Sequence, residues 1–284
     1  MKVVKELPIS ILKTIQLMSI PLGRLKRAKR AQIPVIVSLT SIPSRLGTLH
    51  LVIRSLLVQD KLPKKILLWL NKELKDKLPP KLTKLEGDLF EIRYSDLTCS
   101  HRKLIHSLEA FPNDVIVTCD DDLMYRKNWL STIYQEHLNY PKQVIGNHTI
   151  HINHDDLGKP LKFKKWRYPS HEKINTWAVT PIGAWGILYP PHSLAPQVLD
   201  KDLFLRLAPK ADDLWFKAMA LIQGTKSIQA LKTPGEPIPI GGTQKVALKK
   251  ENLGMDKNTQ QWIALEKSFN LSTIIIRGID GGNQ

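Results

Sequence analysis

The sequence predicts a three-layer α/β/α sandwich around a mostly parallel central sheet. In the first half of the chain, short β-forming runs alternate with segments whose apolar residues recur at helical spacing, which is typical of βαβ units. One of these runs ends in three consecutive aspartates, Asp120 to Asp122. The length of 284 residues and an apolar fraction of 42% allow a sizeable core.

The predicted elements follow one another from residue 33 onwards. The predicted strands cover residues 33–39, 65–70, 90–94 and 115–119, and the predicted helices begin near residues 46, 101, 129 and 212. Strand-forming residues also occur within 143–152. A polar, basic and aromatic excursion spans 153–175, and a Pro/Gly-rich segment over 233–242 predicts a mobile loop. We therefore expect the aspartates at the carboxyl end of the fourth strand, the edge at which open α/β sheets bind ligands.

Residues 1–31 differ in composition from the rest of the chain. The first 30 residues carry eight Lys or Arg against a single acid, Glu6, which leaves +7 of the net charge of +16. Apolar residues at helical spacing precede Pro21, where the helix should end or kink. The segment is too short and interrupted to span a bilayer, and no secretory cleavage site follows it. It predicts either a basic amphipathic helix on an anionic membrane face or a helix packed on the domain or a partner. Because no aromatic residue interleaves with the basic cluster, we expect no nucleic-acid partner.

The aspartate triplet is the strongest chemical signal in the sequence. Carboxylate oxygens are preferred ligands of Mg²⁺ and Mn²⁺, and such ions are often shared with substrate phosphates. An aspartate can also cap the following helix. Three adjacent aspartates repel one another, however, and a cation would relieve that repulsion. The triplet therefore favours a metal–phosphate site.

Two further patches offer candidate functional residues in the second half. Asp212 and Asp213 precede an apolar helical stretch, so they could cap the helix or serve as a general base. The segment Gly183-Ala-Trp-Gly186 could allow close backbone approach to a ligand or form a tight turn. His148, His151 and His154 do not converge on one face of a strand, and we leave them out of the metal set.

Several enzyme classes lack their sequence signatures here. The chain contains no GxxxxGK[ST] phosphate loop, no GxGxxG after a strand and no GxSxG nucleophile elbow. Its two cysteines, Cys99 and Cys119, form no metal or redox spacing, and they fit a reducing cytosol. The remaining hypothesis is a site in which carboxylates bind a divalent ion that faces a nucleotide.

Over about residues 33 to 270 the chain resembles bacterial glycosyltransferases of the GT-A fold, in the broad family 2-like group that builds surface polysaccharides. Four patches in this order carry the resemblance: Val37-Ser-Leu-Thr-Ser-Ile-Pro43, Val115-Ile-Val-Thr-Cys-Asp-Asp-Asp-Leu-Met-Tyr125, Gly186-Ile-Leu-Tyr-Pro-Pro191 and Ala211-Asp-Asp-Leu-Trp-Phe216. The resemblance implies one GT-A-like domain over 32–284, with a nucleotide-sugar half over 32–125 and an acceptor half over 126–284.

The resemblance also implies a role for individual residues. Asp120 and Asp122 would hold Mn²⁺ or Mg²⁺ and the diphosphate, while Asp121 would contact the ribose. Asp213 or Asp212 would be the base that deprotonates the acceptor hydroxyl. The remaining candidates are nucleotide-binding residues, Thr40, Pro43, Arg45, Asp96 and Lys103, and acceptor-binding residues, Trp185 and Gly186.

The expected function is therefore metal-dependent transfer of a hexose, with inversion, from a nucleotide-sugar (UDP-linked) to a saccharide or lipid-linked acceptor of lipopolysaccharide or capsule. The expected location is cytoplasmic, peripheral on the inner face of the bacterial cytoplasmic membrane. Two alternatives stay open. One is a nucleotidyltransferase acting on a sugar phosphate, although the loop after the first strand is poor in glycine. The other is a non-catalytic protein that binds a membrane surface.

Overall fold

A computed structural model describes residues 2–26, 30–168, 174–243 and 256–280. Part of the predicted basic stretch (27–29) and part of the predicted excursion (169–173) lie outside the described residues.

The centre of the fold is a seven-stranded sheet with the order β10-β6-β9-β4-β1-β2-β3. β9 runs antiparallel to both of its neighbours, and the other pairs are parallel. The predicted mostly parallel α/β sheet is therefore confirmed. Its strands are β1 (Gln32–Thr40), β2 (Leu62–Asn71), β3 (Phe90–Ser95), β4 (Val115–Thr118), β6 (Val144–Gly146), β9 (Ile187–Tyr189) and β10 (Ser227–Gln229).

Two small antiparallel pairs lie outside this sheet. β5 (Leu123–Met124) pairs with β11 (Ile238–Pro239), and β7 (Thr149–His151) pairs with β8 (Val179–Pro181). The segment 233–242, for which the sequence predicted only a loop, thus supplies a strand that borders the residues directly after the aspartates.

Helices cover both faces of the sheet and complete the three layers. They are α1 (Lys2–Met18), α2 (Leu22–Lys26), α3 (Leu46–Leu57), α4 (Pro80–Thr83), α5 (Arg102–Ala110), α6 (Trp129–Asn139), α7 (Lys201–Leu207), α8 (Asp212–Ile222), α9 (Lys257–Phe269) and α10 (Leu271–Asp280). The two C-terminal helices were not foreseen from the sequence.

Strand β1 shows how the sequence produces the two cores. Successive side chains of a strand point to opposite faces of the sheet. Val35, Val37 and Leu39 belong to the apolar cluster on the α3 face, whereas Ile36 belongs to the cluster on the α5 and α8 face. All four side chains are fully buried, so β1 is apolar on both faces, as expected for a central parallel strand.

The N-terminal helix α1 packs against the α/β layers. Leu17 is buried in the core, and the Arg54 guanidinium of α3 donates hydrogen bonds to the carbonyl oxygens of Leu17 (2.8 Å) and Ile20 (2.9 Å). Ser10 Oγ accepts a hydrogen bond from the Gly241 amide at 3.2 Å. Among the described residues, no helix has both the length and the apolar character needed to cross a bilayer.

Candidate active site

The three aspartates lie at the carboxyl end of β4, next to the end of β1. Each takes a different position: the side chain of Asp120 is about one-third exposed, while those of Asp121 and Asp122 are largely buried. The amide of Asp120 donates to the Tyr125 hydroxyl at 2.8 Å, and this hydroxyl donates to the carbonyl oxygen of Ala184 at 3.1 Å. Tyr125 therefore connects the aspartate loop to the segment around residue 184.

The aspartates do not cap a helix. The next helix, α6, begins at Trp129, and the residue before it, Asn128, makes no capping hydrogen bond through its side chain. The capping interpretation of the triplet is wrong. The carboxylates instead meet cationic side chains from other elements.

Arg45 neutralises two of the aspartates at once. Its guanidinium forms an ion pair with Asp121 and lies 3.0 Å from Oδ2 of Asp122. Ser41 Oγ donates a second hydrogen bond to Asp121. Pro43 begins the short 3-10 helix that presents Arg45, and its fixed φ suits that position. Part of the repulsion expected within the triplet is thus relieved by the protein itself.

The buried position of Asp122 disfavours its charged form. Burial, followed by the negative charge of Asp120, raises its pKa to about 6 although Arg45 acts in the opposite direction. The pKa of Asp121 is also raised, chiefly by burial. Additional positive charge beside Asp120 and Asp122 would therefore be favourable.

Lys103 lies between the triplet and a second pair of acids. Its Nζ is 3.1 Å from Oδ1 of Asp120 and 3.2 Å from Oδ2 of Asp212, and its side chain is only 6% exposed. Burial alone would lower the pKa of Lys103, but Asp120, Asp212 and Asp213 outweigh burial and raise it well above the usual value. Lys103 is therefore a permanently charged bridge between strand β4 and helix α8.

Asp212 and Asp213 have opposite electrostatic environments. Burial would raise the pKa of Asp212, but the charges of Lys103 and His101 outweigh it, and the net shift is downward. Burial and the neighbouring Asp212 raise the pKa of Asp213 to about 7. Helix α8 begins at Asp212 with Ala211 at the N-cap and no capping side chain, so the capping interpretation of this pair is also wrong.

Gly183 lies between Asp213 of helix α8 and Asp120 of the aspartate triplet. Its amide donates to Oδ2 of Asp213 at 3.0 Å. A Cβ at residue 183 would lie 3.1 Å from Oδ1 of Asp213, 3.4 Å from Nζ of Lys103 and 3.6 Å from Oδ1 of Asp120. The absence of a side chain at Gly183 therefore leaves room among these groups.

Gly186 has a different, structural task. It has a φ of +97°, and a Cβ there would lie 2.6 Å from the Trp129 ring. The indole of Trp129 also donates to the carbonyl oxygen of Trp185 at 2.8 Å. The structure thus buries Gly186 against Trp129, whereas the Trp185 ring packs on the exposed imidazole of His148 with their centroids 5.1 Å apart.

Two other predicted nucleotide-binding residues lie at the end of β1 and in the loop after β3. Thr40 Oγ1 donates to the Trp69 carbonyl oxygen at 2.7 Å and accepts a hydrogen bond from Arg102. Asp96 is mostly exposed and pairs with Lys72 at 2.8 Å. None of its contacts joins Asp96 to the three aspartates.

Sequence reasoning missed the roles of three residues that shape the site: Ser41, Arg102 and Tyr125. Arg102 is buried and donates to the carbonyl oxygen of Leu97 at 2.6 Å as well as to the loop after β1. The sequence feature that could have identified Arg102 is the Arg102-Lys103 pair at the start of a predicted helix. Two adjacent cations there need hydrogen-bond acceptors from other parts of the chain. Residue spacing could not identify those acceptors.

The donor set suits a hard divalent cation. Asp120 and Asp122 could hold Mg²⁺ or Mn²⁺ through carboxylate oxygens, and Asp122 is the carboxylate whose charge is left incompletely compensated. In the described ranges, no group of three or more His, Cys, Asp or Glu side chains is arranged to hold a metal. The protein would thus supply two ligands, and water and phosphate oxygens would supply the others, as Mg²⁺ commonly prefers.

Comparisons with known proteins give little further information. No protein-family model matches the chain, and no curated protein matches it. Among solved structures, the chain is similar to 4-diphosphocytidyl-2C-methyl-D-erythritol synthase from Anaerococcus prevotii DSM 20548, at 14% sequence identity and a TM-score of 0.44. The similarity covers 81% of this chain and 98% of that one.

Proposed function

We propose that this protein is a metal-dependent glycosyltransferase that moves a sugar from a nucleotide-sugar to a hydroxyl of a saccharide acceptor. The proposed donor is UDP-linked. The observation that carries the proposal is the pairing of two acidic groups around Gly183. Strand-end carboxylates suited to a cation and a diphosphate face Asp213, a partly buried carboxylate whose pKa is about 7.

The donor would lie over the carboxyl ends of β1 and β4. Arg45 and Lys103 supply positive charge there, and Arg102 binds both Thr40 at the end of β1 and the carbonyl oxygen of Ser41. A divalent ion held by Asp120 and Asp122 would neutralise the negative charge that develops on the departing diphosphate. The three aspartates would then mark the donor side of the site.

Asp213 is the base in this proposal. A general base works best when its pKa lies near the working pH. The Asp213 carboxylate would take the proton of the acceptor hydroxyl while that oxygen bonds to the anomeric carbon. The bond from this carbon to the diphosphate oxygen breaks, and the nucleoside diphosphate leaves with the bonding electrons. Such a single displacement inverts the anomeric centre.

Trp185 and His148 support a saccharide acceptor. Trp185 lies two residues after Gly183, whose amide binds Asp213, and its ring packs on the imidazole of His148. An aromatic face offers apolar area to a sugar ring, while hydroxyl groups remain free to hydrogen bond. The assignment of this acceptor to lipopolysaccharide or capsule rests on the family resemblance of the four sequence patches.

Calorimetry with UDP and Mn²⁺ tests the donor site. Asp120→Asn and Asp122→Asn should each weaken Mn²⁺-dependent UDP binding at least tenfold. Asp114→Asn is the matched control, because Asp114 precedes the same strand at its opposite end and pairs with Lys64 on the surface. If both variants bind like the control, the metal assignment is wrong.

The donor and the reaction class need separate measurements. A thermal-shift screen of nucleotide-sugars with and without Mn²⁺ should identify the donor as the ligand that stabilises the fold most. Turnover should then release a nucleoside diphosphate. Release of pyrophosphate from a nucleoside triphosphate and a sugar phosphate would instead establish a nucleotidyltransferase.

A further inference from the structure

Helix α1 buries one side and presents apolar side chains on the other. Ser10 and Leu17 face the domain, but a strip of large apolar residues is exposed to solvent. Leu12 is 68% exposed and Ile15 is 60% exposed. The other members of this apolar strip are Leu7, Ile11 and Met18. Residues 7, 11, 15 and 18 recur at helical spacing, so the strip is continuous along the helix.

A basic cavity of about 350 Å³ lies beside the same helix. No acid is among its lining residues, which are four cations, two polar and three apolar residues: Lys13, Arg24, Arg30, Lys127, Gln16, Ser19, Leu17, Ile20 and Val58. Arg30 is held in place because it donates to the carbonyl oxygens of residues 57 (2.8 Å) and 59 (3.1 Å). This basic cavity is therefore a preformed concentration of positive charge.

Within the described ranges, the groups that act on Lys13 disfavour its charge. Burial, followed by the charge of Arg126, lowers the pKa of Lys13. Lys13 donates a hydrogen bond to Gln16 at 3.1 Å, a neutral partner. An anion in the basic cavity would stabilise the charged form of Lys13 and gain attraction to the other three cations.

We propose that α1 and the basic cavity form a docking site for an anionic lipid bilayer, with the apolar strip in the interface and a lipid phosphate in the basic cavity. A helix on a bilayer surface binds through its buried apolar area and through attraction to anionic lipids, and the apolar strip and the basic cavity supply these two contributions. Charge complementarity selects an anionic lipid as the occupant. The inference does not depend on the proposed transferase activity.

Vesicle co-sedimentation of the full-length chain tests the site. The protein should bind phosphatidylcholine vesicles that contain phosphatidylglycerol, and bind pure phosphatidylcholine at least tenfold more weakly. Leu12→Gln with Ile15→Gln should reduce binding to the anionic vesicles about tenfold or more. Arg24→Gln and Lys127→Gln should each reduce it roughly fivefold.

Matched controls separate the docking site from general surface effects. Leu157→Gln and Leu231→Gln remove apolar side chains that are 80% and 78% exposed elsewhere, and Lys75→Gln removes an exposed charge remote in sequence. All three should bind vesicles like the wild type, and thermal unfolding should show that every variant is folded.

Three results would overturn the proposal. Equal binding to neutral and anionic vesicles would remove the role of the basic cavity. Equal losses of vesicle binding in the control and test variants would show that binding is not specific to this site. A dimer that Leu12→Gln with Ile15→Gln dissociates, without vesicle binding by the wild type, would show that a second copy of the chain covers the apolar strip.

Discussion

Lys103 and Asp212 are joined by an ion pair of 3.2 Å that links the helix after β3 to the helix that carries the proposed base. The same ammonium group reaches Asp120 at 3.1 Å. A single buried cation thus couples the donor aspartates to the α8 acids, so the two halves of the site depend on one another electrostatically.

Replacement of Lys103 should destabilise the protein in a pH-dependent way. In Lys103→Met, three neighbouring carboxylates lose a buried cation, and removing one partner of a buried ion pair typically costs about 3–5 kcal/mol. Lys103 lowers the pKa of Asp212 in the wild type, so its loss raises that pKa and makes ionisation costly. Urea denaturation should show a larger deficit at pH 8 than at pH 5. In the double variant Lys103→Met/Asp212→Asn, part of the deficit at pH 8 should disappear. A deficit independent of pH would contradict the role of charge.

Lys217 provides the opposite case of a buried lysine. Burial lowers its pKa to about 7, and its Nζ donates a hydrogen bond to the hydroxyl of Ser227 at 3.3 Å. Because the unfolded chain binds this proton more tightly, stability due to Lys217 is present above its unfolded pKa of about 10.4 and is lost as the pH falls through about 7. Lys217→Met should therefore stabilise the fold by ~1 kcal/mol or more at pH 6. Thermal unfolding should show that this gain shrinks as the pH approaches 10.

The proposed base predicts the pH profile of turnover. Asp213 must be ionised to accept a proton, so kcat/KM should fall as the pH drops below about 7. Asp213→Asn should reduce kcat by about 10²–10⁴-fold while donor affinity stays within about twofold. Asp212→Asn removes a negative charge that raises the pKa of Asp213. The acidic limb of its profile should therefore move to lower pH, and a limb that stays in place would exclude Asp213 as the titrating base.

The thermal stability of the protein without substrate should also depend on the ionisation of Asp213. The pKa of Asp213 is raised by folding, so its contribution to stability is complete below its unfolded pKa of about 4 and is lost as the pH rises through about 7. Asp213→Asn should consequently unfold at a higher temperature than the wild type at pH 8, with little difference at pH 4. A variant less stable than the wild type at pH 8 would contradict the raised pKa.

Gly183 should be intolerant of even a methyl group. In Gly183→Ala the new Cβ would approach Oδ1 of Asp213 to 3.1 Å and would crowd Lys103. We expect kcat to fall at least tenfold, because small displacements of catalytic groups are costly. Gly47→Ala is the matched control, since no atom lies within 4 Å of its new Cβ and Gly47 lies in helix α3. That control should keep full activity and gain about 0.5–1 kcal/mol of stability. Equal activity of the two variants would show that the space at Gly183 is not used.

The fold was largely predictable because its signals are local. Val35, Ile36 and Val37 are apolar in succession, as a strand buried on both faces requires, and Leu46 to Leu56 recur at helical spacing. The triplet Asp120 to Asp122 was placed at a strand end for the same reason. The strand Ile238–Pro239 and the two C-terminal helices were missed, because tertiary pairing and packing rather than a strong local pattern stabilise them.

The sequence by itself determined the alternation of strands and helices in the first half, the strand-end acid cluster and the acidic start of helix α8. Only the tertiary structure decided how the charges are shared. It paired Arg45 with Asp121 and Asp122, placed Lys103 between Asp120 and Asp212, and left Asp213 as the acid with a pKa near 7. Strand and helix patterns depend on neighbours a few residues away, whereas a pKa depends on burial and on charges that distant parts of the chain bring within a few ångströms.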